Sequence, residues 1–379
     1  MASRAERLTY TAAQTARVAF YGAHYLAARI VARDAFSTID SLRGRIPSLR
    51  AMLGSMRALF AQDWANVEAG LYPTPIDLAR DMRRATASLR FLLDIPRVAS
   101  RQKRRGHSEV GPRGAALPRY YRQNFHFQTD GYLSDSSAKL YDFQVEALFA
   151  GTADAMRRRV YVPVASFLTG RSPQDTVLLD IGAGTGQFLS FVKAAQPDLK
   201  TIALDLSEPY LARAQSALAI FPDVTLLAGA AEAIPLPDAS IDIAVSIYLF
   251  HELPPKIRRQ VADEIARVLK PGGIFVLGDT IQYGDVLQFD GLIDIFPKLL
   301  HEPYYAGFAK SDLAALFEPA GLMLENTDIA YLTKIAVFRK PETDPRVPGT
   351  KRRRKASTAR PPAPQAKGRG TLAALPAKP

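Results

Sequence analysis

The sequence predicts an α/β fold: a seven-stranded, mostly parallel sheet between helices, closed by a C-terminal antiparallel hairpin and preceded by a helical N-terminal region. Three observations predict it. Short strand-like runs, Val177–Leu179, Lys200–Asp205, Val224–Gly229, Ile241–Ile247 and Ile274–Gly278, alternate with stretches of helical period, the pattern of parallel strands joined by crossover helices. The first run opens through Asp180 into a turn with glycines at 182, 184 and 186, and a helix pattern, QFLSFVKAAQ, starts at once. After the last helix, Leu322–Asp328 and Tyr331–Arg339 stand back to back as a hairpin.

In chain order, residues 5–33 read as a long Ala-rich helix with Val18, Tyr21, Tyr25 and Ala28 on one face and Arg29 and Arg33 on the polar side. Ser37 or Asp40 is placed to cap a second helix. Ile46–Trp64 is expected to be helical after Pro47. Pro73 and Pro75 open a further helix, Ile76–Leu93, carrying Arg80, Arg83, Arg84 and Arg90. Residues 1–99 thus form a helical extension, either packed on the core or presenting a basic amphipathic surface to a membrane. Residues 100–118 read as a basic linker with Lys103, Arg104 and Arg105. Residues 119–174 are dense in aromatics; Ser134 or Asp135 caps a helix from about Ser137 to Phe149, and two more helical turns follow Thr152. Within the catalytic body, 175–340, a helix ends in the turn Lys270–Gly273, an insertion at Gln282–Tyr305 carries a helix near Val286–Ile295, and Ser311–Gly321 is a capped helix. Residues 341–379, with KRRRK at 351–355, have the composition of a disordered basic tail.

Composition narrows the chemistry. The 379 residues contain no cysteine, which excludes disulfides, thiolate zinc sites and cysteine nucleophiles. The five histidines show no H-x-x-H or H-E-x-x-H spacing, so no metal site is expected. The net charge of +12 is divided as +10 over 1–118, −8 over 119–338 and +10 over 339–379. Basic flanks on an acidic body suit anionic lipid, nucleic acid or plain solvation. No apolar run reaches the ~18 residues of a membrane span; Val18–Ala32 is interrupted by His24 and Arg29. The first ten residues lack a signal-peptide pattern. A cytoplasmic location follows as the expectation, with peripheral membrane contact through the basic flanks left open.

The glycine turn fails two nucleotide motifs. A dinucleotide fingerprint G-x-G-x-x-G counted from Gly182 needs a glycine where Gln187 stands, and a P-loop needs a lysine that is missing. Asp205 ends the second strand 23 residues after Gly182, near the ~20 expected of a carboxylate that receives ribose hydroxyls. It also suits a helix N-terminus.

Taken together, D-x-G-x-G-x-G at Asp180–Gly186, the acid Asp205, YLFHELPP after the fourth strand and RVLKPGG before the fifth resemble the class I S-adenosylmethionine (SAM) methyltransferases. The resemblance covers about Asp175 to Lys340 and is nearest the type 11 group that also holds quinone-ring methyltransferases. It implies a Rossmann-like sheet with SAM at the strands' carboxyl ends. An acid at 180 suits a ligand carrying an ammonium and a sulfonium. By the resemblance, Asp180 and the backbone of Gly182, Ala183, Gly184 and Gly186 hold the methionine part, and Asp205 with Leu206 holds the ribose. Ala231 or Glu232 flanks the adenine; the family's usual acid after the third strand's glycine is replaced by Ala230. The same resemblance puts segment 119–174 over the pocket as a helical lid, with His126, Tyr132 and Tyr141 at the pocket or packed as core. The insertion, with Tyr283, Asp290, His301, Tyr304 and Tyr305, lies where the family builds its substrate wall.

His251 follows the fourth strand and is the expected general base, with Glu252 behind it; the alternative is a histidine that caps the next helix. The expected acceptor is a small or lipid-like molecule, aromatic or isoprenoid. The alternatives are a non-catalytic SAM-binding scaffold and a nucleic-acid methyltransferase. Against the latter, the Asn/Asp-Pro-Pro-aromatic tetrad of base amino methylation is replaced by YLFHELPP, so no specific nucleic-acid partner is expected.

Overall fold

The computed structural model describes residues 3–31, 46–77, 81–82, 84, 86–104, 110 and 117–342. The expectations for Arg33, Ser37, Asp40, Arg80, Arg83 and Arg105, for most of the linker and for the tail beyond Glu342 lie outside them. Before the sheet the described residues include α1 (Arg4–Val31), α2 (Leu49–Glu68), α3 (Ser88–Arg104), α4 (Asp135–Leu148) and α5 (Ala153–Leu168), and Asp81, Met82 and Arg84 are also helical. Ser48 Oγ caps α2 by accepting from Ala51 N at 3.2 Å, and Ser134 Oγ caps α4 by accepting from Ser137 N at 3.1 Å.

Two of these helices differ from expectation. Within the helix expected over Ile76–Leu93, residues 76–77 are not helical, Asp81, Met82 and Arg84 are, and a turn at 86–87 breaks the helix before α3 begins at Ser88. It also runs on through Pro96 to Arg104, into the expected linker. A buried contact holds that end: the Arg101 guanidinium donates to Phe127 O at 3.1 Å. α5 is twice as long as read, at 16 residues, because its apolar face lies on the sheet. Val160 and Val164 are fully buried, and a Cβ on Gly278 would meet Val160 Cγ2 at 2.5 Å. Only a glycine in the strand lets this helix come so close.

The sheet then follows as β1 (Val177–Ile181), α6 (Gln187–Ala195), β2 (Lys200–Asp205), α7 (Glu208–Leu218), β3 (Val224–Ala228), β4 (Ile241–Ile247), α8 (Pro255–Val268) and β5 (Leu269–Thr280). The insertion supplies α9 (Asp290–Leu299), α10 (Tyr305–Phe308) and α11 (Leu313–Phe317), and β6 (Met323–Ala330) and β7 (Thr333–Arg339) close the chain. The strand order is β3-β2-β1-β4-β5-β7-β6. β1 to β5 pair in parallel, and β7 is antiparallel to both β5 and β6. Helices cover both faces, so successive residues of β1 are both buried: Leu178 belongs to one core and Leu179 to the other. The Lys270–Gly273 turn is not a helix terminus but a bulge inside β5. Ile241 pairs with Leu269 while Ile243 pairs with Ile274.

The N-terminal helices are joined to α5 by buried charge. Asp63 of α2 accepts from Arg158 Nε at 2.9 Å and Nη2 at 2.6 Å, from the Tyr10 hydroxyl at 2.6 Å and from the Tyr72 hydroxyl at 2.7 Å. Nearby, Arg17 and Arg84 converge on Asp154 at 2.8 and 2.5 Å, and Arg84 reaches Gln187 at the start of α6 at 2.7 Å. Burial opposes the charge of Asp154, but the surrounding guanidiniums hold its carboxyl well below the usual range. Removing one partner of such a pair strands the other in the core. Asp63→Ala is therefore expected to cost roughly 3–5 kcal/mol in urea unfolding at neutral pH, and Asp63→Leu with Arg158→Met clearly less. Equal losses in the two variants would show that the ion pair is not what fails.

Candidate active site

β1 stops where its two neighbours diverge, and the chain there turns back over the end of β2. Gly182 N and Ala183 N both donate to Leu204 O, at 2.9 and 3.0 Å. Gly184 N donates to Asp205 Oδ2 at 2.8 Å, and Ser207 N to Asp205 Oδ1 at 2.8 Å. One carboxylate thus pins the glycine turn and the start of α7 together. Burial raises the Asp205 pKa, opposed by the amides of Ser207, Gly184 and Leu206. Gly186 holds φ +77° at the start of α6, and a Cβ there would meet Leu218 and Ala214 of α7 at 3.0 and 3.1 Å. Gly184 is different: its Cβ direction is open to the cleft, with only Tyr210 at 4.0 Å.

The cleft opens at the carboxyl ends of β1, β2 and β4, the switch point of the sheet. It is a narrow cleft of about 90 Å³, partly open to solvent. Gly182, Gly184, Asp205 and Leu206 form one wall, with Gly229 and Ala231 after β3. Tyr248, Leu249 and Glu252 form the wall after β4. The roof is tyrosine: Tyr120, Tyr121, Tyr132 and Tyr141 from the segment before β1, and Tyr210 from α7. Ser207 Oγ ties roof to floor by donating to Tyr132 O at 2.6 Å.

Of the residues expected around a cofactor, Gly182, Gly184, Asp205, Leu206 and Ala231 reach the cleft, and Asp180, Ala183, Gly186 and Glu232 do not. Asp180 lies one residue inside β1, 2% exposed, with Oδ2 lacking a hydrogen bond. Burial, with Asp205 nearby and Arg157 only partly offsetting, pushes its carboxyl up to about 8. Ala183 spends its amide on Leu204, and Gly186 packs on α7. Both Glu232 oxygens accept from the Tyr120 hydroxyl, at 2.7 and 2.8 Å, so this acid positions the roof.

His251 departs furthest from expectation. It is 3% exposed, does not line the cleft, and its Nδ1 lies 2.6 Å from Asp279 Oδ1 on β5. Burial works against its charge, yet Asp279 pushes its pKa up to about 9. The same contact holds the ring away from the cleft, where the base expectation had placed it. Its neighbour Glu252 is the residue that faces the cleft, accepting from the Tyr132 hydroxyl at 2.5 Å. Burial, then Glu302, pushes Glu252 up to about 7.

Tyr132 and Tyr141 line the cleft as the resemblance implied. His126 does not; it stands in a left-handed turn (φ 56°) with Nε2 2.5 Å from Glu302 Oε1. In the insertion, the His301 ring meets Gln123 Oε1 at 2.8 Å and the Tyr283 hydroxyl donates to Asp294. Glu302 and Tyr210 carried no sequence signal. Asp279 did, since it ends a predicted strand in an acid just as Asp205 does.

A model described as "Methyltransferase domain" matches residues 178–273. A demethylmenaquinone methyltransferase of Bacillus licheniformis is 30% identical over 168 residues, which cover 40% of this chain and 72% of that protein. A malonyl-acyl-carrier-protein O-methyltransferase of Methylococcus capsulatus is 34% identical over 119 residues, 31% of this chain and 42% of that protein. A ubiquinone/menaquinone biosynthesis C-methyltransferase of Methylobacterium nodulans is 34% identical over 122 residues, 31% and 47%. The chain thus spans less than half the length of two of these relatives. The cleft at the switch point of an α/β sheet defines a small-molecule site of the Rossmann-like type. The chain belongs to the class I S-adenosylmethionine-dependent methyltransferases. Among the described residues, no helix is long and apolar enough to cross a membrane.

Asp180 makes a pH prediction. Its native value of about 8 lies above the unfolded ~3.9. Its stability contribution is therefore full below about pH 4 and lost as pH rises towards 8. Asp180→Asn should gain stability over the parent chain progressively from about pH 5 to about pH 8, at up to about 1.4 kcal/mol per pH unit. Urea midpoints at several pH values read this directly, and a constant difference would mean that Asp180 is already ionised.

Proposed function

We propose that this chain transfers a methyl group from SAM to a small, aromatic or lipid-like acceptor. The observation that carries the reading is the tyrosine-roofed cleft over the glycine turn and Asp205. The residues present fit the cofactor. Gly184 leaves the space a side chain would fill, and Asp205 offers a carboxylate in the cleft wall at the end of β2. Gly182 and Gly184 would face its methionine part, Asp205 and Leu206 its ribose, and Ala231 its adenine. Asp180 is one layer back and would act on the bound ammonium through the field of a buried carboxyl.

When bound, SAM supplies an activated methyl on a sulfonium, for which displacement needs alignment more than acid or base. The protein's part is orientation, with the acceptor held at roughly 3–3.5 Å from the methyl. Tyr132, Tyr141 and Tyr248 give flat apolar walls that suit a ring, and they exclude water. Glu252, aligned by the Tyr132 hydroxyl, is the polar group of the acceptor end and a place for an acceptor's proton. His251 serves from behind, held by Asp279. The named activities of two relatives on quinone precursors support a ring acceptor; the malonyl-carrier relative supports a carboxyl acceptor instead. A scaffold that binds SAM without turnover is disfavoured by the polar Glu252–Tyr132 pair inside an otherwise aromatic wall. We further propose a partition into an N-terminal helical region (1–99), a lid segment (119–174) and a catalytic body (175–340).

Asp205→Ala should weaken SAM binding by about ten- to a hundredfold, the loss of one charge-assisted contact of ~1.5–3 kcal/mol, in calorimetric titration. Unchanged affinity would remove Asp205 from the site. Labelled-methyl transfer should favour a reduced demethylated quinone over a malonyl thioester and over nucleic acid. Tight SAM binding with no transfer to any extract of small molecules would instead establish the scaffold.

A further inference from the structure

His126, His251, Glu252 and Glu302 come from three separate segments: the turn before α4, the turn after β4 and the loop after α9. Their ligating atoms all lie within 4.8 Å of one another. Metal–nitrogen and metal–oxygen bonds of about 2.0–2.2 Å put neighbouring donors about 3–4 Å apart, so small side-chain adjustments suffice. We infer that these four side chains form a site for one divalent transition-metal ion at the inner wall of the cleft.

Two features point to a missing ligand rather than to a closed salt-bridge network. The Glu302 side chain is fully buried, and among the described residues the His126 imidazole is the polar group set against it, with Oε2 left without a hydrogen bond. His126 Nε2 lies 2.5 Å from Glu302 Oε1, and among the described residues it has no further hydrogen-bond partner. A buried carboxylate without donors is costly, and binding a metal removes that cost. His251 is also prepared as a ligand should be. Its Nδ1 is taken by Asp279 at 2.6 Å, which turns Nε2 towards the cluster, 4.0 Å from Glu252 Oε1. This is the carboxylate–histidine arrangement that orients metal-bound imidazoles.

The donors specify the ion class. Two imidazoles and two carboxylates, with no sulfur, suit zinc, iron(II), cobalt(II) or manganese(II) rather than magnesium or calcium, which prefer oxygen alone. Two carboxylates and two neutral imidazoles balance the charge of a dication within the ligand set itself. Because Glu252 also lines the cleft, the ion would fasten the roof segment holding His126 to the carboxyl end of β4. It would also stand within reach of an acceptor oxygen. No H-x-x-H spacing exists because each ligand segment is brought in by a different loop.

The inference is independent of methyl transfer, and its test needs neither SAM nor acceptor. The untagged full-length chain, stripped with a chelator, is titrated with cobalt(II) alone. The expected result is one equivalent bound, with visible ligand-field bands that zinc abolishes. Glu302→Gln and His126→Gln should each weaken binding at least about tenfold, the loss caused by removing even a supporting partner of a ligand. Their melting curves and SAM titrations report whether the variants are folded. A second measurement uses the parent chain only: zinc should shift two of the five histidine Nε2 resonances to metal-bound positions in nitrogen-15 NMR. No stoichiometric uptake by the parent chain, no shifted imidazole, or equal affinity in the folded variants would each overturn the site.

Discussion

The carboxylate of Asp205 holds the site together. It receives the amides of Gly184 and Ser207, and those two residues open the turns after β1 and β2. A single side chain therefore sets the distance between the two loops that frame the cleft. The contact forms only because β1 and β2 are in parallel register, Ile181 beside Leu204, so that both strands end at the same level. Their in-register ends place two turns side by side, and the strand order reverses at β1, which leaves the space above them free.

Apart from Tyr210 of α7, the roof over that floor is brought in by chain that precedes the sheet. α1, α2 and α5 are bound to one another through Asp63 and Asp154, each surrounded by arginine or tyrosine donors. Buried ion pairs of this kind contribute little net stability against an apolar core. Their value lies in register, since a guanidinium in the core accepts one placement of its partner. Arg84 extends this constraint to Gln187, the first residue after the glycine turn. The roof tyrosines are fixed from below by Ser207 and from the side by Glu232. The acids Glu232 and Asp279 thus hold other side chains, Tyr120 and His251, in place.

The polar end of the cleft follows from the same economy of positions. The chain leaving β4 carries His251 and Glu252 as neighbours, and the turn aims them differently. Phe250 N donates to Asp279 Oδ2 at 2.9 Å, which draws His251 inward against β5 and leaves Glu252 on the cleft wall. Neighbouring residues in one motif therefore have opposite surroundings, and their proton affinities differ from those of the free side chains for different reasons. In His251 a carboxylate at hydrogen-bond distance outweighs burial; in Glu252 burial and a second acid act together.

By itself the sequence determined the sheet. Strand positions at 177, 200, 224, 241 and 274 and the closing hairpin were legible because buried parallel strands need continuous apolar runs and tight turns need glycine, and both are local requirements. The placement of Gly182, Gly184 and Asp205 at the cleft was legible for the same reason. What the tertiary structure alone decided is which side chain faces the ligand space. The motif resemblance implied a contact for Asp180, and strand geometry sets its side chain in the core, one layer behind the cleft wall. His251 had the motif position of a base, and Asp279, 28 residues away, holds its ring inside the core. Glu302 and His126 had no periodicity to betray them, since their meeting depends on how three loops pack. Sequence encodes the period of an element, which is local; the neighbours of a loop side chain are fixed only by packing between elements far apart in the chain.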